Sequence, residues 1–147
     1  MHWLAFILSL LAGMSITMQT GSNTQLKKNL HDPLYALIVN YVIGVASVIL
    51  YTAVTRPPIP SLQLAGAAPW WAWLGGLFGA AYGLAAIFFA SQLGAATVTA
   101  LVVTGQLVCA VTLDHFGWWS FDVHPAGAGR IIGCTLMIAG LLLIAKY

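Results

Sequence analysis

Five apolar runs, each about as long as a bilayer is thick, constrain this 147-residue chain more than any other feature. They fall at approximately 3–21, 34–54, 70–90, 95–113 and 126–145. A helix needs roughly 20 apolar residues to cross about 30 Å of hydrocarbon, so each run is long enough to span once. Arg130 is the one charge inside any of them, a turn from an end, where a long side chain snorkels to the interface. The expected fold is therefore all-α: a polytopic membrane protein with five transmembrane helices, forming a single transmembrane domain over residues 1–147. A membrane β-barrel is excluded, because it would show shorter alternating segments and more of them. Composition agrees, with 61% hydrophobic and 5% charged residues and a mean hydropathy of +0.93. An ordinary soluble domain is roughly a quarter charged, and a chain this short has little interior in which to hide so much apolar surface.

The connections fit the same scheme. Residues 21–33 are polar and end in Pro33, and Thr55-Arg-Pro-Pro-Ile-Pro60 begins a proline-stiffened loop that continues to Pro69. Gln92-Leu93-Gly94 reads as a tight turn, making the third and fourth helices an antiparallel hairpin. Asp114 to His124 forms the last polar loop, and Pro125 suits the first turn of the fifth helix. Trp3, Trp70, Trp71, Trp73, Trp118 and Trp119 mark span boundaries, as interfacial anchoring predicts. The first run lacks the basic start and small-residue cleavage site of a signal peptide and reads as a retained helix.

Charge excludes several functions. The acids are Asp32, Asp114 and Asp122, with no Glu; the bases are Lys27, Lys28, Arg56, Arg130 and Lys146. So few charges make no nucleic-acid surface. Lys27, Lys28 and Lys146 fall on one side of the membrane and Arg56 and Arg130 on the other, a weak bias under the positive-inside rule. Two readings remain open: insertion in both orientations or pairing with an oppositely oriented sister, and a single orientation with the Lys27-Lys28 pair cytoplasmic. Cys109 and Cys134 lie inside apolar runs and read as packing residues. Asp114, His115, Asp122 and His124 lack regular ligand spacing, so no metal or other cofactor is expected. No nucleophile elbow, zinc-protease motif or phosphate loop is present, and no enzyme is expected.

Polar residues inside the runs stand out, since lipid makes them costly unless they face a partner or a cavity. Ser15, Gln19 and Asn23 step by four along one helix face, with Thr17, Thr20 and Thr24 beside them. The stripe either lines a solute-filled space, bonds to neighbouring helices, or marks the helix leaving the membrane near Gly21. Gln106, near the middle of the fourth helix, either reads a solute or bonds between helices. Asn40, Tyr41 and Tyr82 add polar handles. Gly75, Gly79 and Gly83 form a groove along the third helix, and Gly133 and Gly140 a stripe on the fifth. Both suit close helix packing, within the chain or with another.

From Leu93 the sequence LGAATVTALVVTGQLVCAVTLDHFGWW, followed by RIIGCTLMIAGLLLIAK, resembles the second half of a repeat unit in the drug/metabolite transporter superfamily. Asp114 occupies the acidic position that ends the fourth helix there, and Gly133 and Gly140 match a glycine pair in the fifth. Gly105-Gln106-Leu107, Asp114-His115-Phe116-Gly117, Gln19 with Asn23, and the 73–79 segment are similar to the small YdcZ-like branch. The resemblance spans nearly the whole chain. It implies residence in the bacterial inner membrane as a multi-pass protein, and a five-helix half-transporter that pairs with itself or a homologous sister chain as an antiparallel dimer. The fifth helix resembles the dimerisation helix of small multidrug-resistance proteins. Those proteins carry a membrane-embedded Glu in their first helix, and this chain has no acid there. The expectation is therefore a small-solute transporter subunit working by alternating access, taking a neutral or zwitterionic solute rather than an organic cation. Gln19, Asn23, Asn40, Tyr82 and Gln106 are the candidate solute-binding residues, Asp114 and His115 a gate or helix end, and Gly133, Gly140, Gly75 and Gly79 packing or dimer positions. The alternatives are a non-transporting structural or regulatory membrane subunit and a small channel.

Overall fold

The computed structural model describes residues 2–147, and side chains from Trp3 onward. Among the described residues there is no strand, and five helices are long and apolar enough to cross a membrane. The chain divides into two compact units, Met1–Ser91 and Gln92–Tyr147.

The first unit begins with α1 (His2–Leu30), which runs well past the end expected near Gly21. Nothing between Gly21 and His31 breaks a helix, and several of the polar side chains bond along it. Ser15, Thr20 and Thr24 donate to the carbonyls of Leu11, Ile16 and Thr20, and Gln25 donates to Asn29. At about 1.5 Å per residue α1 is roughly 44 Å long, more than the hydrocarbon requires. Its last turn carries Lys27 and Lys28, cations suited to a helix C-terminus. His31 then turns the chain at φ 58°. Asp32 caps α2 (Pro33–Thr55), accepting from the backbone N–H groups of Leu34 at 2.6 Å and Tyr35 at 3.4 Å.

The loop after α2 is less irregular than its prolines suggest. It holds a single turn, α3 (Leu62–Gly66), capped by the Ser61 hydroxyl. A 3₁₀ turn over Trp70–Leu74 leads into α4 (Gly75–Leu93). Gln92 and Leu93 thus stay helical, and Gly94 alone, at φ 83°, separates α4 from α5. That backbone conformation is open to glycine at little cost.

The core of the first unit is small. Ala36, Leu37 and Ile87 are buried, with Leu26 and Leu84 packed against them, joining α1, α2 and α4 at one end. A Cβ built on Gly83 would lie 2.6 Å from Leu37 Cδ1 and 3.3 Å from Tyr41 Oη, so glycine is what lets α2 and α4 approach. Gly79 also faces Tyr41, while a Cβ on Gly75, at the start of α4, meets nothing within 4 Å. Most other apolar side chains are exposed; Leu10 and Val54 expose 69% and 74% of their surface. A soluble monomer does not display apolar surface on this scale, and lipid covers it here.

The second unit is a helix pair, α5 (Ala95–Phe116) and α6 (Ala128–Lys146). Gly117, left-handed at φ 64°, closes α5, its N–H donating to the Leu113 carbonyl. Pro125 sits in the loop rather than in the first turn of the last helix, because Gly127 is the cap and α6 starts at Ala128. A Cβ on Gly133 or Gly140 meets nothing within 4 Å.

Candidate functional site

Three helices of the first unit enclose a cleft of about 210 Å³, lined by Gln19, Thr20 and Asn23 of α1, Leu37, Asn40 and Tyr41 of α2, and Gly79, Tyr82, Gly83 and Ala86 of α4. Its position follows from local sequence. The four-residue step places Gln19 and Asn23 on one face of α1. Gly79 and Gly83 remove side-chain bulk from α4 where Tyr41 and Leu37 approach, which leaves room between the helices. The buried cluster of Leu26, Ala36, Leu37, Leu84 and Ile87 closes one end.

The cleft carries several polar groups and no charge on a lining that is mostly apolar. Gln19 Nε2 donates to Asn40 Oδ1 at 3.2 Å, tying α1 to α2 across the wall. Asn23 is 5% exposed as a whole residue and lines the cleft, where no hydrogen bond to its amide is seen among the described residues. A primary amide offers two donors and an acceptor, which a molecule in the cleft could engage. The Tyr41 and Tyr82 side chains complete the polar rim.

The structure thus brings four of the five sequence-nominated solute residues, Gln19, Asn23, Asn40 and Tyr82, to one cleft. Gln106 does not line it; it lies exposed at mid-length in α5, in the other unit.

Asp114 and His115 lie in the last turn of α5, as part of a paired network. Arg130 Nη1 donates to Asp114 Oδ2 and to the His124 carbonyl, both at 3.1 Å. His124 N–H donates to the Asp114 carbonyl at 2.8 Å, and the Ala126 N–H donates to His115 Nδ1 at 3.1 Å. Arg130 is therefore the partner of Asp114 and not merely a snorkelling charge. Leu107, Ala110, Val111, Gly133 and Cys134 join the ion pair around a second, mostly apolar hollow. Asp114, His115, Asp122 and His124 do not assemble as ligands; among the described residues no group of three His, Cys, Asp or Glu side chains is placed to hold a metal.

Sequence reasoning missed Lys27. Its ammonium reaches across to α4, donating to Ser91 Oγ at 3.0 Å and towards the Ile87 carbonyl at 3.5 Å, and lies 5.5 Å from the Phe88 ring centroid. The available signal was spacing, since Lys27 continues the Gln19, Asn23 face by one further turn.

Five apolar spans, with an uncharged cleft enclosed by three of them, define a polytopic membrane protein. The chain belongs to the family described as "Putative inner membrane exporter, YdcZ", whose model matches residues 4–143. It is 26% identical over 143 residues to the "Inner membrane protein YdcZ" of Escherichia coli (strain K12), covering 97% of this chain and 94% of that protein. No solved structure matches. The chain is thus a multi-pass inner-membrane protein in contact with the lipid bilayer, in a family whose description is that of an exporter rather than an enzyme.

Proposed function

We propose that this chain is a small-solute transporter subunit of the inner membrane that works by alternating access, paired antiparallel with a second copy or a homologous sister chain, and that it catalyses no chemical reaction. The observation that carries the proposal is the cleft: Gln19, Asn23, Asn40 and Tyr82 converge in a hollow that is closed by packed apolar residues at one end. Polar groups are costly inside a membrane unless they are hydrogen-bonded, and a solute that bonds to the Asn23 amide offsets that cost. No carboxylate lines the cleft. An organic cation would thus enter without a counter-charge, which favours a neutral or zwitterionic solute.

Pairing follows from the same economy. One chain supplies helices on only part of a pathway's circumference, and inverted halves around a midplane site are a recurrent transporter design. The weak charge bias, with Lys27, Lys28 and Lys146 set against Arg56 and Arg130, permits both orientations. Gln106, exposed on a spanning helix, and the open glycine positions of α6 are the places we assign to contact with the partner chain. Asp114 and His115, held by Arg130 and the Ala126 N–H, take a helix-end role that fixes the loop into α6.

Orientation gives the test. A cysteine at Tyr147→Cys, with Cys109 and Cys134 replaced by Ala, is treated in intact cells with an impermeant maleimide. An antiparallel self-pair predicts about half the chains labelled before permeabilisation and the remainder after it. Labelling of all or none, in a chain that transports when expressed alone, rejects the antiparallel self-pair.

A further inference from the structure

The closed end of the cleft is built in layers that succeed one another along two helices. On α1 the lining residues Gln19, Thr20 and Asn23 are followed by Leu26 of the apolar cluster and then by Lys27. On α4 the lining residues Tyr82, Gly83 and Ala86 are followed by Ile87 of the same cluster, and then by Phe88 and Ser91, which meet Lys27. The order is a hollow, an apolar plug and a polar clip outside the plug. In the clip, Lys27 donates to Ser91 Oγ at 3.0 Å and to the Ile87 carbonyl at 3.5 Å, with its ammonium 5.5 Å from the Phe88 ring centroid.

The three helices are not equally tethered here. Only His31 and Asp32 separate α1 from α2, and the Gln19–Asn40 hydrogen bond ties the two again beside the cleft. α4 has no such short connection to either. Side chains hold it: Ile87 in the plug, Leu37 against Gly83, and the Lys27 clip. Of the three walls, α4 is the one that can move without unwinding a turn.

The clip suits an element that lets go. All its partners are neutral, and among the described residues no carboxylate lies within ion-pair distance of Lys27. Parting an ion pair in a poorly hydrated place leaves an orphaned charge, which is strongly unfavourable. Lys27 is half-buried, but Ser91 and the neighbouring Lys28 are exposed. A released ammonium therefore has water close by, and its flexible stem can reach it. Bonds to a hydroxyl and a carbonyl are exchanged for bonds to water at modest net cost.

We propose that Lys27 is the latch of a gate. It holds α4 against α1 while Leu26, Leu37 and Ile87 close this end of the cleft, and it lets go when the plug opens. This rests on the cleft being the solute path, and it names the seam, α1 against α4, at which the closed end parts.

The test reads the plug directly, in full-length chains carrying Cys109→Ala and Cys134→Ala, in phosphatidylcholine nanodiscs treated with a water-soluble maleimide. Ala36→Cys, at a position 0% exposed, reports opening of the plug, and Ile87→Cys is a second reporter should the larger side chain disturb the cluster. Thr20→Cys reports the cleft itself. An unreactive Thr20→Cys removes the transport reading and the latch with it. Given a reactive one, Lys27→Met should speed modification at the plug about tenfold, the loss of one charge-assisted bond. Lys27→Arg should stay close to the parent. Ser91→Ala should speed it less, and Lys27→Met combined with Ser91→Ala no more than Lys27→Met alone, because both remove the same bond. Val98→Cys, buried on α5, should keep its rate throughout. A wet cleft whose plug reacts at the parental rate in Lys27→Met overturns the latch, leaves the transport reading standing and makes Lys27 an interfacial anchor. An equal gain at Val98→Cys overturns it as well, by showing a loosened fold. So do effects of the two substitutions that multiply, by showing that Lys27 and Ser91 act apart.

Discussion

The α5–α6 loop and the cleft handle polarity in opposite ways. In the loop, the charges close on each other: Asp114 has Arg130, Arg130 also has the His124 carbonyl, and His115 has the Ala126 N–H. In the cleft, polarity is left partly open, with no hydrogen bond to the Asn23 amide among the described residues. Groups that satisfy each other organise a turn. An amide left open in a cleft is free to meet something that arrives from outside. The contrast is between the α5–α6 loop and the cleft, not between every polar group of the two units: the buried side-chain oxygen left without a partner among the described residues, Thr104 Oγ1, lies on α5. Function is therefore assigned to α1, α2 and α4, and architecture to the loop between α5 and α6.

Substitutions can break or sharpen that contrast. The largest expected effect is Asn23→Leu. Because its amide has no protein partner to orphan, thermal stability in detergent should hold to within about 0.5 kcal/mol, while solute flux in proteoliposomes should fall about tenfold or more. A stability loss as large as the flux loss would make Asn23 a structural residue and erase the difference between cleft and loop. Next comes Gly83→Leu, which forces a side chain into the space of Leu37 and Tyr41. Overpacking of this kind costs about 1–3 kcal/mol, read as a lowered melting temperature, and should also close the cleft to labelling. Arg130→Ala should cost about 1 kcal/mol, since the pair is partly exposed, at 40% and 27% for Arg130 and Asp114. The first-unit cleft should keep its reactivity. The smallest effect is the coupling between Gln19 and Asn40. A double-mutant cycle with Gln19→Leu and Asn40→Leu should return about 0.6 kcal/mol, the usual size for a hydrogen bond between membrane helices.

What the sequence made legible follows periodicity. Spans were readable because twenty-residue apolar runs have one physical meaning, and Gln19 and Asn23 could be placed on one face because helical spacing is local. Asn40 and Tyr82 were nominated only as polar residues in apolar surroundings; that they meet α1 is a tertiary fact. Pairings across distance were not legible. Arg130 lies sixteen residues from Asp114, and no local pattern announces that the two close on each other. Lys27 and Lys28 look identical as sequence, and only α4's approach turns one inward. The end of α1, expected at Gly21 and found at Leu30, was misplaced because polarity ends a span but does not end a helix when no breaker is present. Trp119 and Ser120, at φ 59° and 65°, show the converse. A left-handed backbone there was unforeseeable from non-glycine residues.

Two cysteines two residues apart on α1 test the cleft most directly. Thr20 lines the hollow, whereas Met18 exposes 73% of its surface, which in a membrane faces lipid. With native cysteines removed, a water-soluble maleimide in sealed membranes should modify Thr20→Cys quickly and Met18→Cys hardly at all. A wet groove on one side of a greasy helix is what the whole account needs. Equal sluggishness at both positions would mean a dry, sealed interface, and the transport pathway assigned to this half of the molecule would not exist.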